Sequence, residues 1–259
     1  MKTIVITGAS SGIGAAMARR FGADGHNLVL ASRRAATLNA VAHGVPSHVV
    51  TICTDVTRRA DVNRLCDEAL RAFGNVDVWI NNAGRGINKP VLDLTDGEFD
   101  EMMAVNVKSA LYGMQAIVPH FIGRGEGHII NMSSFLGRVP IATHRSAYNA
   151  AKAALNALSA NVRVDLAAKY PNIHVSVVMP GLVSTEFAKN ALGSSGGTAP
   201  AWSAGTSGIK PQTAEEVADA VASLLDNPVA EIFTNPVNAE MARRYFEDID
   251  AFEMLPRTH

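Results

Sequence analysis

Short runs of β-branched and apolar residues alternate along this chain with longer segments whose apolar positions recur at helical spacing. Runs at 2–7, 27–31, 48–53, 77–80, 128–132, 173–179 and 231–234 are nearly free of polar interruption. That is the pattern of strands covered on both faces, as in a parallel sheet flanked by helices. Between them, segments 15–21, a stretch after Arg34 that ends near 41, 58–73, 96–121, 146–170, 214–225 and 238–252 read as helices. Strand and helix alternate throughout with no linker or internal repeat. This predicts an α/β fold, one doubly wound parallel sheet of about seven strands with helices on both faces, forming a single domain over 1–259. Residues 186–210 break the pattern. They are small, polar and Gly-punctuated, with Trp202 their one large apolar group, and read as a mobile substrate lid. Residues 236–259 read as a charged, aromatic-bearing helical extension at the C-terminal end.

Composition narrows the classes. Hydrophobic residues at 47% and charged residues at 18% suit a globular protein with an ample core. A formal charge of −1 gives no basic field for nucleic acid. Cys53 and Cys66 match neither a zinc pattern nor a redox dithiol, so no metal site is expected. No secretory leader and no membrane-length apolar run is read, which gives the expectation of a cytoplasmic protein.

The chemistry gathers where strands end. The first strand runs into Thr7-Gly8-Ala9-Ser10-Ser11-Gly12-Ile13-Gly14, and a helix follows. A Gly-rich turn between strand and helix lets the backbone approach a phosphate, which the free N–H groups of the helix N-terminus then bind. The second strand ends at Ser32-Arg33-Arg34 with no acid nearby. An acid there suits ribose hydroxyls, whereas guanidiniums suit a 2′-phosphate, so NADP(H) is favoured over NAD(H). Asp55, followed by Val56, stands just past the third strand, either as an acceptor for an adenine amino group or as an ordinary helix cap. Asn82, Ala83 and Gly84 end the fourth strand with small side chains that permit close approach of a ligand. Asn106 lies inside a helical stretch, where Asn is unfavourable, and implies a local task such as holding water or bending the helix. The fifth strand delivers Ser133 and Ser134. Tyr148 and Lys152, four apart on an Ala-rich helix, share one face. A cation beside a tyrosine favours the phenolate, so Tyr148, Lys152 and a nearby serine can pass a proton to or from a carbonyl or alcohol oxygen. Gly193-x-Ser195-x-Gly197 matches a hydrolase nucleophile pattern, but it lacks the strand and helix that pattern needs.

Together Thr7-Gly8-x-x-x-Gly12-Ile13-Gly14, Asp55, Asn81-Asn82-Ala83-Gly84, Asn106, Ser134, Tyr148-x-x-x-Lys152 and Pro180-Gly181-x-Val183-x-Thr185 occur in the order of the short-chain dehydrogenase/reductase family. The resemblance covers about residues 2–235 and implies a Rossmann-type fold. It implies that Tyr148 is the general acid/base, that Lys152 lowers its pKa and contacts the nicotinamide ribose, and that Ser134 positions the substrate oxygen. It implies that Asn106 holds a water for proton relay. Gly8, Ser11, Gly12, Ile13 and Gly14 would surround the pyrophosphate, Asn82, Ala83 and Gly84 the adenosine side, and Thr185 the nicotinamide amide. Ser134 lies fourteen residues before Tyr148, where many members have thirteen, which leaves Ser133 as an alternative. Position 11 is Ser where many NADP-preferring members are basic, so cofactor preference rests on Arg33 and Arg34.

The expected activity is NADP(H)-dependent interconversion of a ketone or aldehyde and an alcohol. An NAD-preferring dehydrogenase and a non-catalytic cofactor-sensing or scaffold protein on the same fold are the alternatives. Arg85, Ile87, Phe135, Leu136, His144, Leu182 and Trp202 are expected to build the substrate pocket. Their apolar bias suits a hydrophobic or aromatic carbonyl compound or alcohol. Arg85, Arg138 or His144 would instead meet a carboxylate. The resemblance further implies a homotetramer or homodimer assembled through the long helices.

Overall fold

A computed structural model of the chain describes residues 1–187, 190–193 and 210–253. Among these residues seven strands form one sheet: β1 (Thr3–Thr7), β2 (Asn27–Ser32), β3 (Val49–Cys53), β4 (Val78–Asn81), β5 (Gly127–Met132), β6 (Ile173–Met179) and β7 (Glu231–Phe233). Every pair is parallel and the order is β3-β2-β1-β4-β5-β6-β7. The chain moves outward from β1 through β2 to β3, then returns to β4 on the other side of β1. Strand order therefore reverses between β1 and β4, and in open parallel sheets ligands bind at the C-terminal ends of strands at such a point.

Alternation of side chains sorts the core into two layers. Ile4 and Ile6 of β1, Leu28 and Leu30 of β2, and Val78 and Ile80 of β4 face α1 (Gly12–Ala23), α2 (Ala35–His43) and α7 (Ala214–Asp226). Val5, Val29 and Trp79 face the opposite way, onto α3 (Arg59–Phe73) and α5 (Ser109–Arg124). A third cluster, around Ile87, Met102, Phe135 and Tyr148, takes in Ala242 and Tyr245 of α8 (Pro236–Glu247). The C-terminal segment thus packs beside the site.

Two expected helices are interrupted. The stretch read as one helix over 96–121 comprises α4 (Asp96–Met103) and α5, joined by a π turn, Ala104–Lys108, that contains Asn106. Single π turns recur at functional sites. The C-terminal helix breaks at Asp248, whose backbone is extended and whose carboxylate accepts the Ala251 N–H at 2.8 Å. A new short helix, α9 (Ile249–Glu253), begins there because a local Asp acceptor competes with helix continuation. No helix among the described residues is long and apolar enough to cross a membrane.

A buried polar ladder ties the sheet to α6 (Ser146–Ala167), the helix of Tyr148 and Lys152. Trp79 donates to Asn81, Asn81 to Asn131, and Asn131 to Ser159, each at 2.8 Å. Such a network holds its members in one arrangement because each buried group left without a partner is costly. At the switch point the Thr7 hydroxyl donates to the Ile80 carbonyl and accepts the N–H groups of Asn82 and Ala83. Thr7→Val would leave those N–H groups without their acceptor and is expected to cost about 1–3 kcal/mol in urea unfolding. An unchanged midpoint would contradict this role for Thr7.

Candidate active site

A cleft of about 510 Å³ lies along the C-terminal ends of the strands. At one end it is walled by the turn between β1 and α1. Gly8 has φ +67°, and a Cβ there would stand 2.8 Å from the Ala83 Cα. A Cβ on Gly14 would stand 2.4 Å from the Gly8 carbonyl oxygen. Neither position admits a side chain, so bare backbone faces the cleft. Ser11 occupies the N-cap of α1 without a side-chain cap bond, and the first turn has no acid. By contrast α4 and α7 each begin with a Thr–Glu capping box. The first-turn N–H groups of α1 therefore have no side-chain partner and can bind an anion.

Arg34 reaches from the end of β2 to this turn, donating to the Ser10 hydroxyl at 3.1 Å and the Ser11 hydroxyl at 2.9 Å. Arg33 and Asp55 line the same end. Burial would raise the Asp55 carboxyl. Hydrogen bonds from the Thr57 hydroxyl and N–H, with the charges of Arg33 and Arg58, hold it below the ordinary carboxylate range. Asp55 thus caps its own turn while facing the cleft. Asn82 is fixed beneath the Gly-rich turn by donation to the Thr7 carbonyl at 2.9 Å.

At the other end Ser134, Tyr148 and Lys152 converge, all buried. The Lys152 ammonium donates to the Met132 carbonyl at 2.8 Å and lies 5.6 Å from the centre of the Tyr148 ring. Burial without a counter-charge lowers its pKa to about 7. Burial also raises the Tyr148 phenol above its ordinary value, against a hydrogen bond with Ser134 and the charge of Arg145, which lower it. At neutral pH the phenol therefore keeps its proton. Ser133 is directed elsewhere, donating to the Lys152 carbonyl at 3.3 Å, so Ser134 is the serine at the phenol. Asn106 grips the backbone of Arg85, accepting its N–H at 3.2 Å and donating to its carbonyl at 2.9 Å. A Cβ on Gly84 would stand 2.9 Å from the Asn106 Oδ1 and 3.6 Å from the Lys152 Nζ, so both flank that glycine.

The cleft wall gathers most of the residues singled out from the sequence: the Gly-rich turn, Arg33, Arg34, Asp55, Val56, Asn82 to Arg85, Ser134, Leu136, Tyr148, Lys152, Pro180 to Val183 and Thr185. Four expected pocket residues are not placed on it. Phe135 is 1% exposed and stacks edge-on to Phe233, a core position. Ile87 is likewise a core side chain. His144 is half-buried beside the cleft, its carbonyl accepting the Lys89 N–H at 2.7 Å. Trp202, and most of the expected lid, lie outside the described residues. Of that segment, Leu192 exchanges backbone hydrogen bonds with Gly86 and Asn88. Sequence reasoning missed Arg145, Phe187 and Asn190 on the wall. Arg145 had a usable signal, since it lies three residues before Tyr148 at the start of the same helix. Phe187 and Asn190 belong to an irregular stretch with no period to read.

Residues 2–194 match the short chain dehydrogenase family. An oxidoreductase of Staphylococcus epidermidis is 33% identical over 71% of this chain and 79% of its own. Among solved structures, a short chain dehydrogenase/reductase from Burkholderia phymatum in complex with NAD is 27% identical. It has a TM-score of 0.82 over 100% of this chain and 96% of that one. An alcohol dehydrogenase from the archaeon Thermococcus sibiricus, complexed with 5-hydroxy-NADP, is 29% identical. Its TM-score is 0.74 over 90% of this chain and 95% of that one. The chain belongs to the short-chain dehydrogenase family and is an NAD(P)-dependent oxidoreductase acting on CH–OH or C=O groups.

Lys152 gives the site a pH signature. Its value of about 7 in the fold lies below the ordinary 10.5, so between those limits the unfolded chain binds the extra proton. Stability should therefore rise with pH across that window, by at most about 1.4 kcal/mol per unit. Lys152→Met should remove that slope, so the wild type should gain stability relative to the variant as pH rises through that window. Parallel pH–stability curves would contradict the burial of a titrating Lys152.

Proposed function

We propose that the chain is an NADP(H)-dependent carbonyl reductase or alcohol dehydrogenase in which Tyr148 is the general acid/base. The observation that carries this reading is a single cleft. Uncapped helix N–H groups and Arg34 lie at one end, and a buried Ser134, Tyr148 and Lys152 at the other. The residues fit a dinucleotide laid along it, with phosphates at the Gly-rich turn and the nicotinamide end near Tyr148. When bound, the nicotinamide supplies or accepts the hydride.

This chain's own residues handle binding and the proton. Ser134 orients the substrate oxygen beside the phenol. Tyr148, protonated at neutral pH, gives its proton to a carbonyl oxygen during reduction and takes it back during oxidation. Lys152, with a pKa of about 7, is partly charged at neutral pH and offsets negative charge on the phenol as its proton leaves. Asn106 holds the Arg85 backbone, and with it the Gly84 wall beside Lys152.

Preference for NADP(H) is supported by Arg34 spanning to Ser10 and Ser11, and by the absence of an acid after β2. A 2′-phosphate placed there would accept charge-assisted hydrogen bonds from both the guanidinium and the hydroxyls. The test is consumption of NADPH and NADH over a panel of ketones and aldehydes. Turnover should favour NADPH, and Arg34→Gln should cut that preference by about 10- to 100-fold, the worth of one charged hydrogen-bond set. Equal use of both nucleotides by the wild type would overturn the preference, and no carbonyl turnover with either would overturn the reductase reading.

A further inference from the structure

The catalytic end of the cleft holds a cation with no counter-ion among the described residues. Arg145 is 7% exposed and lies on the cleft wall. Among the described residues its guanidinium, with five N–H donors, makes one hydrogen bond, to the Ile87 carbonyl at 3.3 Å. It has no carboxylate partner among the described residues. The neighbouring arginines differ. Arg85 is paired with Glu101, and Arg138 with Glu231. Glu186, on the same wall, is solvent-exposed. A buried cation is ordinarily paired, because desolvating a charge without compensation is costly.

The surroundings are shaped around this guanidinium. A Cβ on Gly86 would stand 2.9 Å from its Nη1 and 2.9 Å from the Phe187 ring, so glycine leaves the room it occupies. Phe187 also packs on Tyr148, with ring centres 5.6 Å apart. Arg145 is the N-cap residue of α6, whose first turn has no acid, so the partial positive charge of a 22-residue helix adds to its own. Burial lowers the pKa of Arg145, and its charge is felt at the Tyr148 phenol.

We propose that Arg145 recognises a carboxylate on the substrate, and that the substrates are short 2- or 3-oxo acids and the corresponding hydroxy acids. The carboxylate pairs with the guanidinium while the reacting oxygen sits between Tyr148 and Ser134. The proposal rests on the reductase reading above and names its substrate class. Arg145 and Tyr148 lie at the start of the same helix, both line the cleft, and the guanidinium charge is felt at the phenol, so a substrate held by both carries its carboxylate close to the reacting carbonyl. The chemistry is unchanged. The carbonyl carbon gains a hydride, its oxygen gains a proton from Tyr148, and the reduced nicotinamide is oxidised.

The test separates the anion site from turnover. Butanoate and its methyl ester, neither of which reacts, are titrated calorimetrically into the enzyme saturated with NADP⁺. The wild type should bind butanoate at least roughly 30-fold more tightly than the ester, the lower range for a buried charge pair. Arg145→Gln should abolish that difference without weakening the ester, and Arg145→Lys should keep part of it. Equal binding of acid and ester by the wild type overturns the proposal and needs no variant. So does an Arg145→Gln enzyme that loses both equally, which would assign Arg145 a packing role. Turnover of 3-oxobutanoate and its methyl ester is read in the same preparations. Arg145-dependent binding of the acid with no turnover would support the anion site and contradict the reductase reading. Turnover of acid and ester at equal kcat/KM would do the reverse.

Discussion

The site depends on burying one face of α6 at the C-terminal edge of the sheet. Tyr148 and Lys152 sit on that face, and both are taken out of water. Burial opposes charge on each, raising the phenol and lowering the ammonium to about 7. At physiological pH the phenol therefore holds its proton while the ammonium is only partly charged. The ammonium is held by the Met132 carbonyl and not by a carboxylate, so its charge remains available to the phenol.

That burial is arranged by small residues and backbone contacts. A Cβ on Gly137 would stand 2.8 Å from the Lys152 carbonyl carbon, so the turn after Ser134 lies directly on α6. Ser133 and Asn156 fasten the two together, one to the Lys152 carbonyl and the other to the Gly137 carbonyl. The ladder from Trp79 through Asn131 to Ser159 fixes the same helix to the sheet. At the far end of the cleft the requirement is reversed. The α1 N-terminus lacks a cap and the Gly-rich turn lacks side chains, which leaves donors for a ligand to meet.

Much of this was legible in the sequence because it depends on local pattern. The span of β6 was read without error, and the other strands and most helices within one to three residues, since continuous apolar runs and helical spacing are local properties. The Gly-rich turn, Arg34, Tyr148 and Lys152 were legible for the same reason. Features decided by three-dimensional packing were not. The π turn at Asn106 depends on its bonds to Arg85, some twenty residues away. Phe135 looked like a pocket residue because it follows Ser134, yet a short 3₁₀ turn swings it into the core. Arg145 carried a helical-spacing signal, but its significance lies in missing a partner, which a sequence does not record. Burial raises the Tyr148 phenol in this structure, against the Ser134 hydrogen bond and the charge of Arg145, a balance set by packing rather than by sequence pattern.

The most direct test of the account replaces only the phenolic hydroxyl. Tyr148→Phe keeps the ring against Phe187 and Lys152, and removes the atom that carries the proton. Nucleotide affinity and carbonyl turnover would be measured on the same preparation. The account predicts NADPH binding within a few-fold of wild type and turnover lower by about 10³-fold, the usual worth of a positioned acid/base. Turnover near the wild-type rate in a variant that still binds NADPH would contradict it.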